Sequence, residues 1–269
     1  MSLSAQLLLL PQWSAILLLI GITVSFSIAG FFIVHRFVPV RIRQIHNDVA
    51  GFLFATLGVT YGVLLAFVVI AVWEQFNDTK ITVQQEGSAA LVIYHNIRAF
   101  PNKPAADPIL QSFTKYARFS SAESELKVGQ STQESTRTLE QLLTILDTTI
   151  PANPHEQMIY GYIAQGLNDL MKYRSLRLQA AQDELPSVIW IGVVMGGMIT
   201  IGFTFLFGTE NVWAHIVMIS LLAAMTAVVV YIVIEFDHPT MGAVRIGSPE
   251  AYSQISNMAE SKHTLTSPP

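Results

Sequence analysis

The chain has 269 residues, enough for one or two domains. Apolar residues make up 51% and charged residues only 13%, against a usual share of about 25%, which excludes a disordered chain and argues against an ordinary soluble enzyme. A net charge of −4 offers no basic surface for nucleic acid, and the absence of cysteine excludes disulfides, thiolate metal sites, iron–sulfur clusters and thiol catalysis.

Four stretches lack Asp, Glu, Lys and Arg, at about 11–34, 49–73, 187–207 and 212–234. A membrane-spanning helix needs about 20 apolar residues, so each is long enough to cross a bilayer. The expected fold is an all-α membrane protein: four transmembrane helices in two hairpins, with a helical extramembrane domain between spans 2 and 3. Trp13, Trp73, Trp190, Trp213 and Tyr231 sit where interfacial anchors belong. Residues 1–12 carry no Lys or Arg, so the first span is read as a retained span and not as a signal peptide. The expected location is the cell membrane, multi-pass, with the lipid bilayer as first partner.

The first hairpin occupies residues 1–73 and is closed by His35–Asp48, which carries Arg36, Arg41 and Arg43. Positive charge in a short loop favours the cytoplasmic side. Lys172, Arg174 and Arg177, close before the third span, argue the other way, and the side that carries the middle region and termini stays open.

From Asn47 to about Ala99 there is no proline, so the second span can continue as one helix of roughly 80 Å that projects beyond the bilayer. Pro101, Pro104 and Pro108 are expected to end it. Within the span, Gly51, Ala55, Gly58, Gly62 and Ala66 recur at spacings that put them on one stripe. Such a stripe serves close helix packing, as in Gly58-x-x-x-Gly62, or faces a narrow pore or subunit axis. Thr56, Thr60 and Tyr61 add hydroxyls able to touch a permeating ion. Beyond the span, Glu74 and Asp78 lie one turn apart. Repeated around a cyclic oligomer they form carboxylate rings that attract cations or hold a divalent ion; on a single chain they are a solvated helix face.

Residues 74–186 form the expected extramembrane domain, with helices at about 108–125, 134–149 and 154–184 and linkers at 128–131 and 151–154. Leu139, Leu142, Leu143 and Leu146 give one apolar face. The second hairpin, 187–234, turns at Gly208–Asn211. Its Gly192, Gly196, Gly197, Thr200 and Thr204 suit helix packing, and His215 suits an interfacial hydrogen bond better than a metal. In the tail, 235–269, Glu235 abuts the last apolar run and can pair with Arg245 or another arginine. Asp237 and His238 offer a pH-sensitive contact at a gate or interface, or simply a terminating turn. Beyond about residue 252 disorder is expected.

No phosphate-binding glycine loop, H-E-x-x-H or G-x-S-x-G is present, and no Asp, Glu, Lys or Arg that could serve intramembrane proteolysis or a buried carboxylate relay lies inside a span. The chain is therefore not expected to be an enzyme, and no cofactor is expected beyond a divalent cation at Glu74 and Asp78.

The run Asn47–Phe52 through Gly58, Tyr61 to Ala66 and Val72-Trp73-Glu74-Gln75-Phe76-Asn77-Asp78 resembles the bestrophin-like family of four-span membrane proteins. So do Glu86, Leu185-Pro186 with Trp190, Phe207-Gly208, and Asp237-His238-Pro239 with Gly242. The resemblance covers nearly the whole chain. It implies a homo-oligomer like the bestrophins, which are pentameric anion channels with a pore lined by the second helix and a cytoplasmic helical domain. The bestrophin aromatic neck has no clear counterpart, since only Phe52, Phe54 and Phe67 are available. The acidic residues Glu74 and Asp78 suit cations better than anions. The leading expectation is a homo-oligomeric ion channel of undetermined selectivity; the alternative is a non-conducting scaffold or sensor whose middle domain binds a partner or ligand.

Overall fold

A computed structural model describes the backbone of residues 6–122 and 128–266 and the side chains of 6–122 and 132–260. Among the described residues the ordered elements are helices: α1 (Gln12–Phe37), α2 (Val40–Ile45), α3 (Asn47–Ala99), α4 (Lys103–Ser121), α5 (Val128–Thr148), α6 (Pro154–Ala180), α7 (Ser187–Thr204), α8 (Val212–Asp237) and α9 (Glu250–Thr266). They divide into two compact units, residues 1–77 with 183–245, and residues 78–182 with 246–269.

The first unit holds the four apolar helices long enough to cross a membrane: α1, the first part of α3, α7 and α8. Their outward residues are apolar, including Leu17, Phe26, Phe67 and Leu221, each about two-thirds exposed. Such a surface is stable against lipid, not water. Chain neighbours do not dictate the packing: α1 pairs most extensively with α8. Phe31 meets Ile201, Ile219 and Ala223 there, and Gly30 gives Phe205 room to lie against the α1 backbone. Pro39 follows α1 and caps the short α2. The third span is shorter than its apolar run, since α7 ends at Thr204, whereas α8 continues past residue 234 to Asp237.

The second unit is a helical bundle whose core is drawn from every helix it contains. Ile93 and Ile97 of α3 meet Ile109 and Phe113 of α4, Leu142 and Leu146 of α5, Ile163 and Leu167 of α6, and Tyr252 and Ile255 of α9. Withdrawing each of these side chains from water contributes about 1.5–3 kcal/mol. The start of α6 is fixed by reciprocal capping. The Asn153 carboxamide oxygen accepts from Glu156 N–H at 2.9 Å, and the Glu156 carboxylate accepts from Ala152 N–H at 2.8 Å.

Three expectations for this region need correction. The long helix ends before the prolines as expected, but the next helix begins earlier than residue 108: α4 starts at Lys103, takes Pro104 in its first turn and contains Pro108. A proline in the first turn removes an N–H that has no helical partner, so it is compatible with a start. The backbone at 128–131 belongs to α5 and is not a linker. The tail is not disordered beyond residue 252: α9 runs to Thr266, with Tyr252 and Ile255 fully buried. Tyr252, Ile255 and Met258 give it one apolar edge packed on the bundle, and residues 267–269 lie outside the described residues.

Candidate functional site

The second span presents different chemistry on different sides. One side is closed: Tyr61, Leu65, Val68 and Val72 pack with Val193 of α7 and Val233 of α8. Tyr61 lies over the backbone of Gly196 and Gly197, where any added Cβ would collide with its ring or hydroxyl. Its hydroxyl donates to the Val193 carbonyl at 3.0 Å. The third-span glycines thus serve packing, as expected, and the Tyr61 hydroxyl, one of the expected ion contacts, is buried and bonded to a backbone carbonyl.

The small-residue stripe is open. A Cβ built on Gly51, Gly58 or Gly62 meets nothing within 4 Å, and Ala55 and Ala66 are exposed. Gly58, Gly62 and Ala66 border a groove of about 650 Å³ whose far wall includes Leu222, Met225 and Val229 of α8. Thr56 and Thr60 are also exposed, but they border a different groove with Gly196, Ile199 and Phe203 of α7. At about 100° per residue the threonines lie roughly 140° around the helix from the stripe. The seven small and hydroxylated residues therefore do not share a face. Each threonine donates to the carbonyl four residues back, Thr56 to Phe52 at 3.2 Å and Thr60 to Thr56 at 2.9 Å, which leaves oxygen lone pairs outward. Among the phenylalanines, Phe54 packs against Phe203 and Phe207, whereas Phe52 and Phe67 remain exposed.

Glu74 is exposed and falls on the threonine side of the helix, and Asp78 follows one turn later, also exposed. Among the described residues no group of three or more His, Asp or Glu side chains is placed to hold a metal ion.

The residues after the fourth span are buried. Glu235 accepts from the Tyr231 hydroxyl at 2.8 Å, from Val244 N–H at 3.0 Å and from Ala243 N–H. Its partners are thus a phenol and two backbone amides in place of Arg245. Gly242 makes this possible with a φ of +79°, and a Cβ there would strike the carboxylate. Asp237 accepts from Leu185 N–H at 2.7 Å and from the Trp190 indole at 3.3 Å, fixing the start of α7. His238, also buried, stands 3.7 Å from Glu184 and 3.8 Å from Asp237. His215 makes the expected hydrogen bonds, to the Thr204 carbonyl at 3.0 Å and to the Thr209 hydroxyl at 3.1 Å.

Sequence reasoning missed two clusters. At the far end of the first unit, buried Arg43 donates to the Phe205 carbonyl at 2.9 Å and the Phe207 carbonyl at 3.3 Å, and its other nitrogen meets His35 at 3.0 Å. Burial pushes the Arg43 pKa below its ordinary value. Beside it, the Asn47 carboxamide makes a two-way bond with the Gly208 backbone, at 2.8 and 3.0 Å. In the second unit, Arg177 grips fully buried Glu86 through two bonds of 2.6 and 3.1 Å. Tyr252 donates to the same carboxylate at 2.7 Å, and Tyr116 meets Tyr252 at 3.1 Å. Burial, reinforced by the Glu86 charge, pushes the Tyr116 pKa up to about 12, and burial raises that of Tyr252 well above its ordinary value. The spacing in sequence, 91 residues for Glu86–Arg177 and 161 for Asn47–Gly208, gave no local signal.

Four apolar helices with a discontinuous helical bundle define a multi-pass α-helical membrane protein. The sequence model of the Bestrophin-like domain matches residues 21–252, and the chain belongs to that family. No curated protein matches the sequence. Among solved structures, a bacterial Bestrophin homolog from Klebsiella pneumoniae carrying one mutation superimposes with a TM-score of 0.64 at 11% identity, covering 90% of this chain and 98% of that one. A second structure of the Klebsiella pneumoniae homolog, solved by zinc phasing, gives 0.65 at 12% identity, covering 90% and 96%. The bestrophin fold is therefore shared at low identity. The residues that carry the family resemblance turn out largely to be fold determinants: Asn47 with Gly208, Tyr61, Glu86, Leu185 with Trp190 and Asp237, and Gly242.

Proposed function

We propose that the chain is one subunit of a cyclic homo-oligomeric ion channel in the cell membrane, a pentamer as in the bestrophins, with the second span around the axis. The observation that carries this reading is the side of α3 bearing Thr56, Thr60 and Glu74. It places hydroxyl oxygens and a carboxylate on an outward face of a membrane helix, a poor surface for acyl chains and a good one for a wet axial path. Gly51, Ala55, Gly58, Gly62 and Ala66, around the helix from that face, then meet the neighbouring subunit, where small residues permit close approach.

Outward oxygen lone pairs together with Glu74 and Asp78 favour cations, and two carboxylates from each of several subunits suit a divalent ion. Asp237 and His238 act by holding the start of the third span against the end of the fourth, Glu235 by fixing the turn at Gly242, and none of them by meeting the ion. Purified protein in planar bilayers is expected to pass current, and Glu74→Gln to lower the preference for cations over anions. Silent bilayers across pH, voltage and calcium would favour a non-conducting scaffold whose helical bundle binds a partner.

A further inference from the structure

The connection between α1 and α3 has an apolar outer surface that stays exposed among the described residues. Its inner side is fixed: Arg43 binds the two carbonyls at the end of α7, and Gly208 is so close to Gln44 that a Cβ there would meet the backbone. Its outer side carries Phe37, Ile42 and Ile45, exposed by 78, 56 and 77%. Exposed Arg36 and Arg41 alternate with them in sequence. The same end of the unit carries Trp213, 77% exposed at the start of α8.

We propose that this surface is a docking site for anionic phospholipid headgroups. Three observations select that occupant. First, the segment joins two membrane-spanning helices, so its position along the bilayer normal is the headgroup layer. Second, its apolar residues continue the lipid-facing surface of α1, where Phe32 and Ile33 are exposed. Third, Arg36 and Arg41 flank those residues at the depth of the phosphates, and a guanidinium matches a phosphate through paired N–H donors. Burial of Arg43 against backbone carbonyls leaves these two as the exposed arginines of the segment. Asp48 stands at the first turn of α3, where it complements the helix dipole, and Glu210 lies in the α7–α8 connection. A second copy of the chain seated on this surface would bury Arg36 and Arg41 and would have to supply carboxylates for them.

The test is native mass spectrometry of the detergent-purified full chain titrated with phosphatidylglycerol and, separately, phosphatidylcholine. The protein is expected to retain phosphatidylglycerol about fivefold or more over phosphatidylcholine, the preference that one arginine near an anionic surface provides. Arg36→Gln with Arg41→Gln is expected to bring the ratio near one, while Arg36→Lys with Arg41→Lys keeps most of it. Equal retention of the two lipids by the unaltered protein overturns the proposal. So does an unchanged ratio in the double glutamine variant, or a change of oligomer mass in that variant with its lipid preference intact.

Discussion

Two sides of the second span, within one helix, follow opposite rules. On the closed side every feature is matched inside the chain: Tyr61 occupies the space that Gly196 and Gly197 leave, and its hydroxyl has a carbonyl to bond. On the rest of its surface, glycines of the same type have no neighbour within reach of a Cβ, and the threonines, on a separate face, bond to carbonyls of their own helix. A glycine in a membrane helix therefore has no single meaning. It marks close packing, but only the structure tells whether the partner belongs to the same chain.

The contrast can be broken or sharpened by substitution, and the largest effect is expected where matching is most complete. Arg177→Met leaves Glu86 buried without its guanidinium, and about 3–5 kcal/mol of stability should disappear from the bundle in a denaturant titration. Next comes Gly196→Val, which drives a side chain into the Tyr61 ring. A loss of about 1–3 kcal/mol is expected in thermal unfolding in detergent, whereas an unchanged melting point would show that the closed side can rearrange.

The tyrosine pair gives a dependence on alkali. Tyr116 and Tyr252 hold their protons more tightly folded than unfolded, so their contribution is complete below about pH 10 and declines as pH rises toward the folded values. Stability should fall by about 1.4 kcal/mol per pH unit for each tyrosine in that window. Tyr116→Phe should remove one share of the slope, measured as denaturation midpoint against pH. The smallest effect on the chain's own fold belongs to the open side. Gly58→Ala or Gly62→Ala should change unfolding by no more than about 1 kcal/mol, and in the stabilising direction, because alanine favours helix and meets no neighbour. Oligomer mass and conductance are the quantities those variants should move. If they alter neither, the stripe faces lipid.

Much of the architecture was legible because a bilayer imposes a coarse code. Runs without charge located all four spans, and the lack of proline from Asn47 to Ala99 correctly implied one helix. The tail was misread because α9 presents only Tyr252, Ile255 and Met258 among polar neighbours, a weak local pattern whose stability comes from the bundle beneath it. The burial of three arginines was illegible for a different reason. Arg43, Arg174 and Arg177 look like solvent-facing charges in sequence, but each is buried and bonded to groups that lie 38 or more residues away, apart from His35 near Arg43. The spacing rule that found the small-residue stripe did not separate it from the threonines, because residue type and not angle grouped them.

The clasp between Asn47 and Gly208 also has a consequence for how the protein is made. Its halves are 161 residues apart, and a ribosome adding 5–20 residues per second needs roughly ten to thirty seconds to deliver the second after the first. Throughout that interval the opening pair of helices must reside in the bilayer without the later pair that completes them. Slowing or pausing translation between these positions should therefore lengthen the exposure of the half-built unit to quality-control proteases, and faster passage should raise the yield of intact protein.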